Sequence, residues 1–231
     1  DAEGTEQESE KIMSIASEIN RIKSGLPQGV NLVAVSKFHP AEAVMEAYSA
    51  GQRIFGESRP QEFAAKCKEL PEDIQWHFIG HLQTNKLKLV LPYVSMVQSV
   101  DSEHLLDAIN AWGVKEGRRV NILLELHLGA EETKQGFSGE EIDDILSRAG
   151  EYDGVNFCGL MGMATNTDDE AVIRADFQRI ADLHERLRRE HPELTEFSSL
   201  SIGMSHDYRI ALDYNPTYVR IGTAIFRPRV Y

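Results

Sequence analysis

The chain is short of the features that would assign a class at a glance. It has two cysteines in 231 residues, Cys67 and Cys158, far apart and in no metal-ligand spacing. That excludes a disulfide-stapled scaffold and gives no zinc site. Two free thiols in a reducing compartment are expected, and with them a cytoplasmic location. No apolar run approaches the ~20 residues of a membrane span, and no signal-peptide core stands near the start. Positive charge is also scarce, with 24 Lys and Arg against 37 Asp and Glu for a net charge of −13. Such a surface repels phosphate backbones, so neither nucleic acid nor a membrane is an expected partner. A Gly-x-Gly-x-x-Gly turn, a Walker loop and a Gly-x-Ser-x-Gly elbow are all missing. There is no linker, low-complexity tract or internal repeat. One domain is therefore expected over residues 11–231, preceded by a frayed acidic tail over 1–10.

What is present is an ordinary globular composition, 42% apolar and 26% charged. From Lys11 to Lys23, Ile12, Met13, Ile15, Ala16, Ile19 and Ile22 recur at three- and four-residue steps. They predict an amphipathic helix, stopped by Gly25 and Pro27. Short apolar strands then alternate with helical segments. The strands are expected at 32–35, 53–55, 75–79, 96–99, 121–126, 156–161, 200–202 and 218–221. Helices are expected near 40–50, 60–70, 84–91, 103–116, 138–149, 169–190 and 207–213. Strands without alternation are buried on both faces, as in parallel sheets covered by helices. Eight βα units with a leading helix predict an α/β fold, a single (β/α)₈ TIM-type barrel. An open doubly wound sheet is the alternative, but it lacks its glycine turn.

In a barrel the chemistry belongs to the C-terminal ends of the strands. Lys37 follows the first strand in Val35-Ser36-Lys37. It is either a solvated lysine at an element end or an amine held at the barrel mouth, where it could form a Schiff base. Gly203-Met204-Ser205 follows strand seven and Gly222-Thr223 follows strand eight. These loops supply small residues, backbone N–H groups and hydroxyls where barrels commonly bind phosphate. The other reading is tight turns only. Arg220 lies inside strand eight, on the same face as Gly222. It faces either a heteroaromatic nitrogen in that pocket or a buried carboxylate. His77 is expected as a core or pocket-wall residue, and no histidine spacing predicts a metal. An amine, a phosphate cradle and an arginine around one cavity suit pyridoxal 5′-phosphate (PLP). The spacing alone suits a Schiff-base aldolase acting on a sugar phosphate equally well.

At this point the chain resembles a known family. The stretches are Val33-Ala34-Val35-Ser36-Lys37, Phe55-Gly56-Glu57-Ser58, Trp76 through Lys86, Gly159-Leu160-Met161, Leu200 through Asp207, and Val219 through Phe226. Together they are similar to the YggS/PROSC family, the pyridoxal 5′-phosphate homeostasis proteins. The resemblance implies a barrel like the alanine racemase N-terminal domain. It implies that Lys37 carries PLP as a Schiff base and that Ser205, Gly222 and Thr223 hold the phosphate. It further implies that Arg220 faces the pyridine nitrogen and that Met161 and Met204 line the pocket. Ser58 stands where the family often has Asn, so it is the cofactor contact that departs from the pattern.

Two functions follow. A racemase-like PLP enzyme needs an acid or base on each ring face, and racemases take the second from a β domain of another subunit. The chain ends at Tyr231, just after the eighth unit, and supplies no such group. An arginine at the ring nitrogen also weakens the cofactor as an electron sink. The resemblance therefore favours a non-catalytic PLP carrier in vitamin B6 homeostasis. It would be monomeric and would deliver PLP to apo-enzymes; a PLP-dependent amino-acid racemase is the alternative.

Overall fold

Apolar β-branched segments buried on both faces can only be satisfied by a sheet with helices outside and side chains within. The computed structural model of the chain, which describes residues 13–130 and 135–227, solves this by closure. The strands are β1 (Asn31–Val35), β2 (Ile54–Glu57), β3 (Gln75–Phe78), β4 (Met96–Val100), β5 (Val120–Glu125), β6 (Val155–Met161), β7 (Ser199–Ser201) and β8 (Tyr218–Ile221). All neighbours are parallel, and β8 returns to β1 to close the barrel, with Val33 opposite Arg220 and Ala34 opposite Ile221. Closure leaves no sheet edge exposed.

The helices are α1 (Ile15–Ser24), α2 (Ala41–Ser49), α3 (Pro60–Glu69), α4 (Leu87–Val90), α5 (Glu103–Glu116), α6 (Gly139–Ser147), α7 (Glu170–Glu190), α8 (Tyr208–Ala211) and α9 (Thr223–Phe226). Their starts follow local chemistry. Ser14, Ser102 and Ser138 each accept a hydrogen bond from the backbone N–H three residues on, satisfying a free donor of the first turn. Gly117, at φ 67°, ends α5. The expected helix over 84–91 is a 3₁₀ turn, Thr84–Lys86, followed by the four-residue α4. Thr and Asn are poor helix formers, and no side chain caps that start. The expected tail over 1–10 lies outside the described residues.

The side chains sort into two layers. Outward-facing Leu32, Ala34, Phe55, Trp76, Phe78, Ile122, Leu124, Leu160 and Val219 pack under the helices. Phe63 of α3 meets both Trp76 and Phe78 edge to face, with centroids 5.9 Å apart in each pair. Inside the barrel, Met96, Leu123, Cys158 and Met161 form a separate cluster against Tyr218. Above that plug the interior turns polar, and there the strands point their C-terminal residues toward the mouth. Among the described residues, no helix is long and apolar enough to cross a membrane.

Candidate functional site

Lys37 lies at the mouth, one residue past the buried Ser36, and is itself half-buried. No hydrogen bond or ion pair engages its amine among the described residues. Its two neighbours, by contrast, are tied down. Ser36 donates from its N–H to Gly56 O (3.0 Å) and from Oγ to Glu57 Oε1 (2.7 Å). Lys66 of α3 donates from Nζ to Ser36 O (2.8 Å), Glu57 Oε1 (2.6 Å) and Glu62 Oε1 (2.9 Å). Phe38 sits at φ 67°, a left-handed conformation that costs a non-glycine residue about 1–2 kcal/mol. Its N–H donates to Glu62 Oε1 at 2.6 Å, and Arg59 lies 5.4 Å over its ring. The lysine is thus carried on a turn held by α3, with strain at the residue beside it.

This clamp is where the sequence reading of strand two falls short. That strand was expected over 53–55, with Gly56-Glu57-Ser58-Arg59 as loop, but it runs to Glu57. A charged residue argues against a buried strand end. Here Glu57 is fully buried because Lys66 and Ser36 reach it. Burial pushes its carboxyl upward, with Lys66 pulling the other way, and Oε2 has no hydrogen-bond partner. Glu62 and Lys66, four apart on one helix, were the available signal.

On β8, the strand paired with β1, Arg220 is 3% exposed. It donates from Nη1 to Ser201 Oγ (2.6 Å) and from Nη2 to Gly162 O (3.1 Å). Ser201 Oγ donates on to Gln98 Oε1 (2.6 Å), and Gln98 Nε2 pairs with His77 Nδ1 (2.7 Å). His77 stacks edge-on with Tyr218, and burial lowers its pKa to about 3, so it is neutral. Neutral acceptors, not a carboxylate, therefore take the guanidinium's hydrogen bonds. Glu125 and Asp207 attract it from beyond ion-pair distance. Burial brings its pKa down to about 10, which leaves it charged at neutral pH. Four strands thus fix one cation in the floor of the mouth.

The loops after β7 and β8 meet beside it. Gly222 N–H donates to Ser205 Oγ at 3.3 Å. Asp207, 2% exposed, accepts from Met204 N–H at 2.7 Å and holds the intervening turn. Gly203 has φ 96°, and a Cβ there would stand 2.8 Å from Ala211 Cβ, so only glycine makes this turn. Thr223 is exposed at the start of α9. Ser205, Gly222 and Thr223 therefore share one rim. Ser58 follows β2 at the same rim, packed against Gly80. Met161 is deeper, in the interior cluster and 1% exposed. Met204 lies at the opening, 36% exposed.

A cavity of about 400 Å³ opens on the β5–β7 side of the mouth. Of the expected site residues, only Met204 lines it. Its acidic member, Glu125, escaped sequence reading because it closes a strongly apolar strand. Its carboxyl is raised to about 7 by burial, then by Asp101, against the pull of Arg220 and His81.

Comparison with known proteins adds an independent line. Residues 12–229 match the family model described as alanine racemase, N-terminal domain. A pyridoxal phosphate homeostasis protein of Aquifex aeolicus is 34% identical, over 96% of this chain and 98% of its own. One from Bos taurus is 38% identical, over 87% of this chain and 77% of its own. The solved structure of PipY from Synechococcus elongatus with PLP bound has a TM-score of 0.85 and 34% identity, over 92% of this chain and all of that one.

Proposed function

The chain belongs to the pyridoxal phosphate homeostasis protein family, whose barrel is that of the alanine racemase N-terminal domain, and from that premise we propose that it binds PLP reversibly at the mouth described above and limits the free aldehyde. The observation that carries this reading is a lysine just past β1, whose amine no described residue engages, beside a serine–glycine rim after β7 and β8, with β8 paired directly to β1.

The residues suit the group. When bound, PLP supplies an aldehyde that condenses with a primary amine. Lys37 offers that amine and would hold the cofactor through it, with loss of water. Ser205 Oγ and the Gly222 N–H, bonded to each other in this structure, would hold the phosphate together with Thr223. The Gly203 turn leaves room for it. Arg220, fixed by Ser201 and Gly162, would present a charged donor to the ring nitrogen and would favour its unprotonated form. Ser58, Met161 and Met204 wall the pocket.

The same arginine argues for a carrier. An unprotonated ring withdraws electrons poorly, so proton abstraction from a bound amino acid is weakly served. The relatives are named as homeostasis proteins, which agrees with a non-catalytic role, with transfer to apo-enzymes as the outlet. Titration of the purified chain with PLP tests this. One equivalent is expected to bind with a visible absorbance band that Lys37→Ala lacks, with no turnover of D- or L-amino acids. Robust racemisation or transamination by the chain, lost in Lys37→Ala, overturns the carrier reading.

A further inference from the structure

The cavity between the ends of β5, β6 and β7 has a chemistry that PLP does not use. Its walls are largely apolar, from Leu126, Leu128, Met163 and Met204. Among the described residues one carboxylate, Glu125, lines it at 5% exposure. That carboxylate makes no hydrogen bond or ion pair with any described residue. Burying a carboxyl without a partner is costly, so its retention points to an occupant that supplies one.

The sign of that occupant follows from the surroundings. Asp101, from the loop after β4, adds negative charge and is held by His81 Nδ1 at 3.1 Å. Asp207, after β7, acts on Arg220, and among the described residues Arg220 on β8 is the fixed cation acting on Glu125. His127 and His206 also line the cavity. With the carboxyls ionised, Glu125 and Asp207 both act on Arg220, two of whose N–H donors are held by Ser201 and Gly162.

We propose that this cavity is a binding site for a small primary amine in its ammonium form, with the Glu125 carboxylate as anchor and the apolar walls covering an alkyl chain. The site adjoins the Lys37 pocket through Met204, so its occupant would stand beside the cofactor, yet the inference does not depend on PLP being bound. An α-amino acid fits less well, because no described lysine or arginine lines the cavity to receive its carboxylate.

The test uses cofactor-free protein labelled with [¹³C-methyl]methionine, whose six methionines include Met163 and Met204 on the cavity wall. n-Butylammonium is the probe, with n-butanol and butyrate as neutral and anionic isosteres. Saturable shifts confined to Met163 and Met204 are expected for the amine, with at least about tenfold weaker binding of both isosteres. With the Glu125 pKa at about 7, amine affinity at pH 6 should be about a tenth of its plateau above pH 8. Asp101, Arg220 and His81 act on that midpoint, and His127 and His206 line the same cavity. Glu125→Gln should lose the binding and its pH dependence, and Glu125→Asp should keep both in part, each with an otherwise unchanged methionine spectrum. Equal binding of n-butanol, or unchanged amine affinity in Glu125→Gln, overturns the proposal. Because no PLP is present, neither result bears on Lys37.

Discussion

Replacing Lys66 by Met removes the hub of the clamp behind Lys37 while keeping its volume. Nζ makes three hydrogen bonds, all to oxygen at 2.6–2.9 Å, and the side chain is 7% exposed. Its partner Glu57 is wholly buried and already has one oxygen without a partner. Removing one member of such a pair strands the other, at a cost of about 3–5 kcal/mol. For a chain of this size that lowers the thermal midpoint by about 10 °C. The pH dependence has a definite sign. The folded-state pKa of Glu57 is raised above its unfolded value. The native state then binds more protons than the unfolded state, and stability falls as pH rises. Without Lys66 the shift is larger, so the deficit should be greater at pH 8 than at pH 5.5. Urea unfolding at both pH values measures it. The double variant Lys66→Met with Glu57→Gln removes both charges and should recover most of the loss. The reasoning is refuted if Lys66→Met costs under about 1 kcal/mol at pH 8, or if the double variant is less stable than the single one.

Two further perturbations probe the floor of the mouth and the barrel wall. Ser201→Ala deprives Arg220 Nη1 of its acceptor and Gln98 Oε1 of its donor. A loss of about 1.5–3 kcal/mol in urea unfolding is expected, with weaker PLP binding in a fluorescence titration as the guanidinium loses its anchor. Gly159→Ala is harsher. At φ 146° its new Cβ would stand 1.7 Å from Ser199 O on the adjacent strand, so β6 and β7 must separate. A loss above about 4 kcal/mol, or insoluble expression, is expected; a chain with an unchanged melting curve would mean the two strands are less tightly joined than described.

Much of this was legible in the residue order because local signals and the global fold agree. Eight apolar segments punctuated by Gly and Pro gave the barrel, and strand β8 and helix α5 stand at their expected bounds. That Lys37, Ser205, Gly222 and Thr223 lie at the mouth was legible because barrel topology says where strand ends go. Arg220 stood out as a charge inside a strand. Less was visible where a charge is stabilised by residues distant in sequence. Glu57 read as loop because its partner Lys66 lies nine positions on, across a helix turn that only packing brings back. Glu125 was lost within an apolar run, and its neighbours Asp101 and Arg220 come from other strand ends. The chain from Arg220 through Ser201 and Gln98 to His77 joins four strands, and no spacing encodes it.

The central claim is that Lys37 is the amine that holds PLP. Borohydride reduction of the PLP-loaded chain, followed by peptide mass mapping, tests it most directly. The account predicts one phosphopyridoxyl group per chain, on Lys37, and none after phosphate-rim variants that abolish binding. A stable adduct on another lysine with Lys37 unmodified, or a Lys37→Ala chain that traps PLP as fully as the parent, would contradict it.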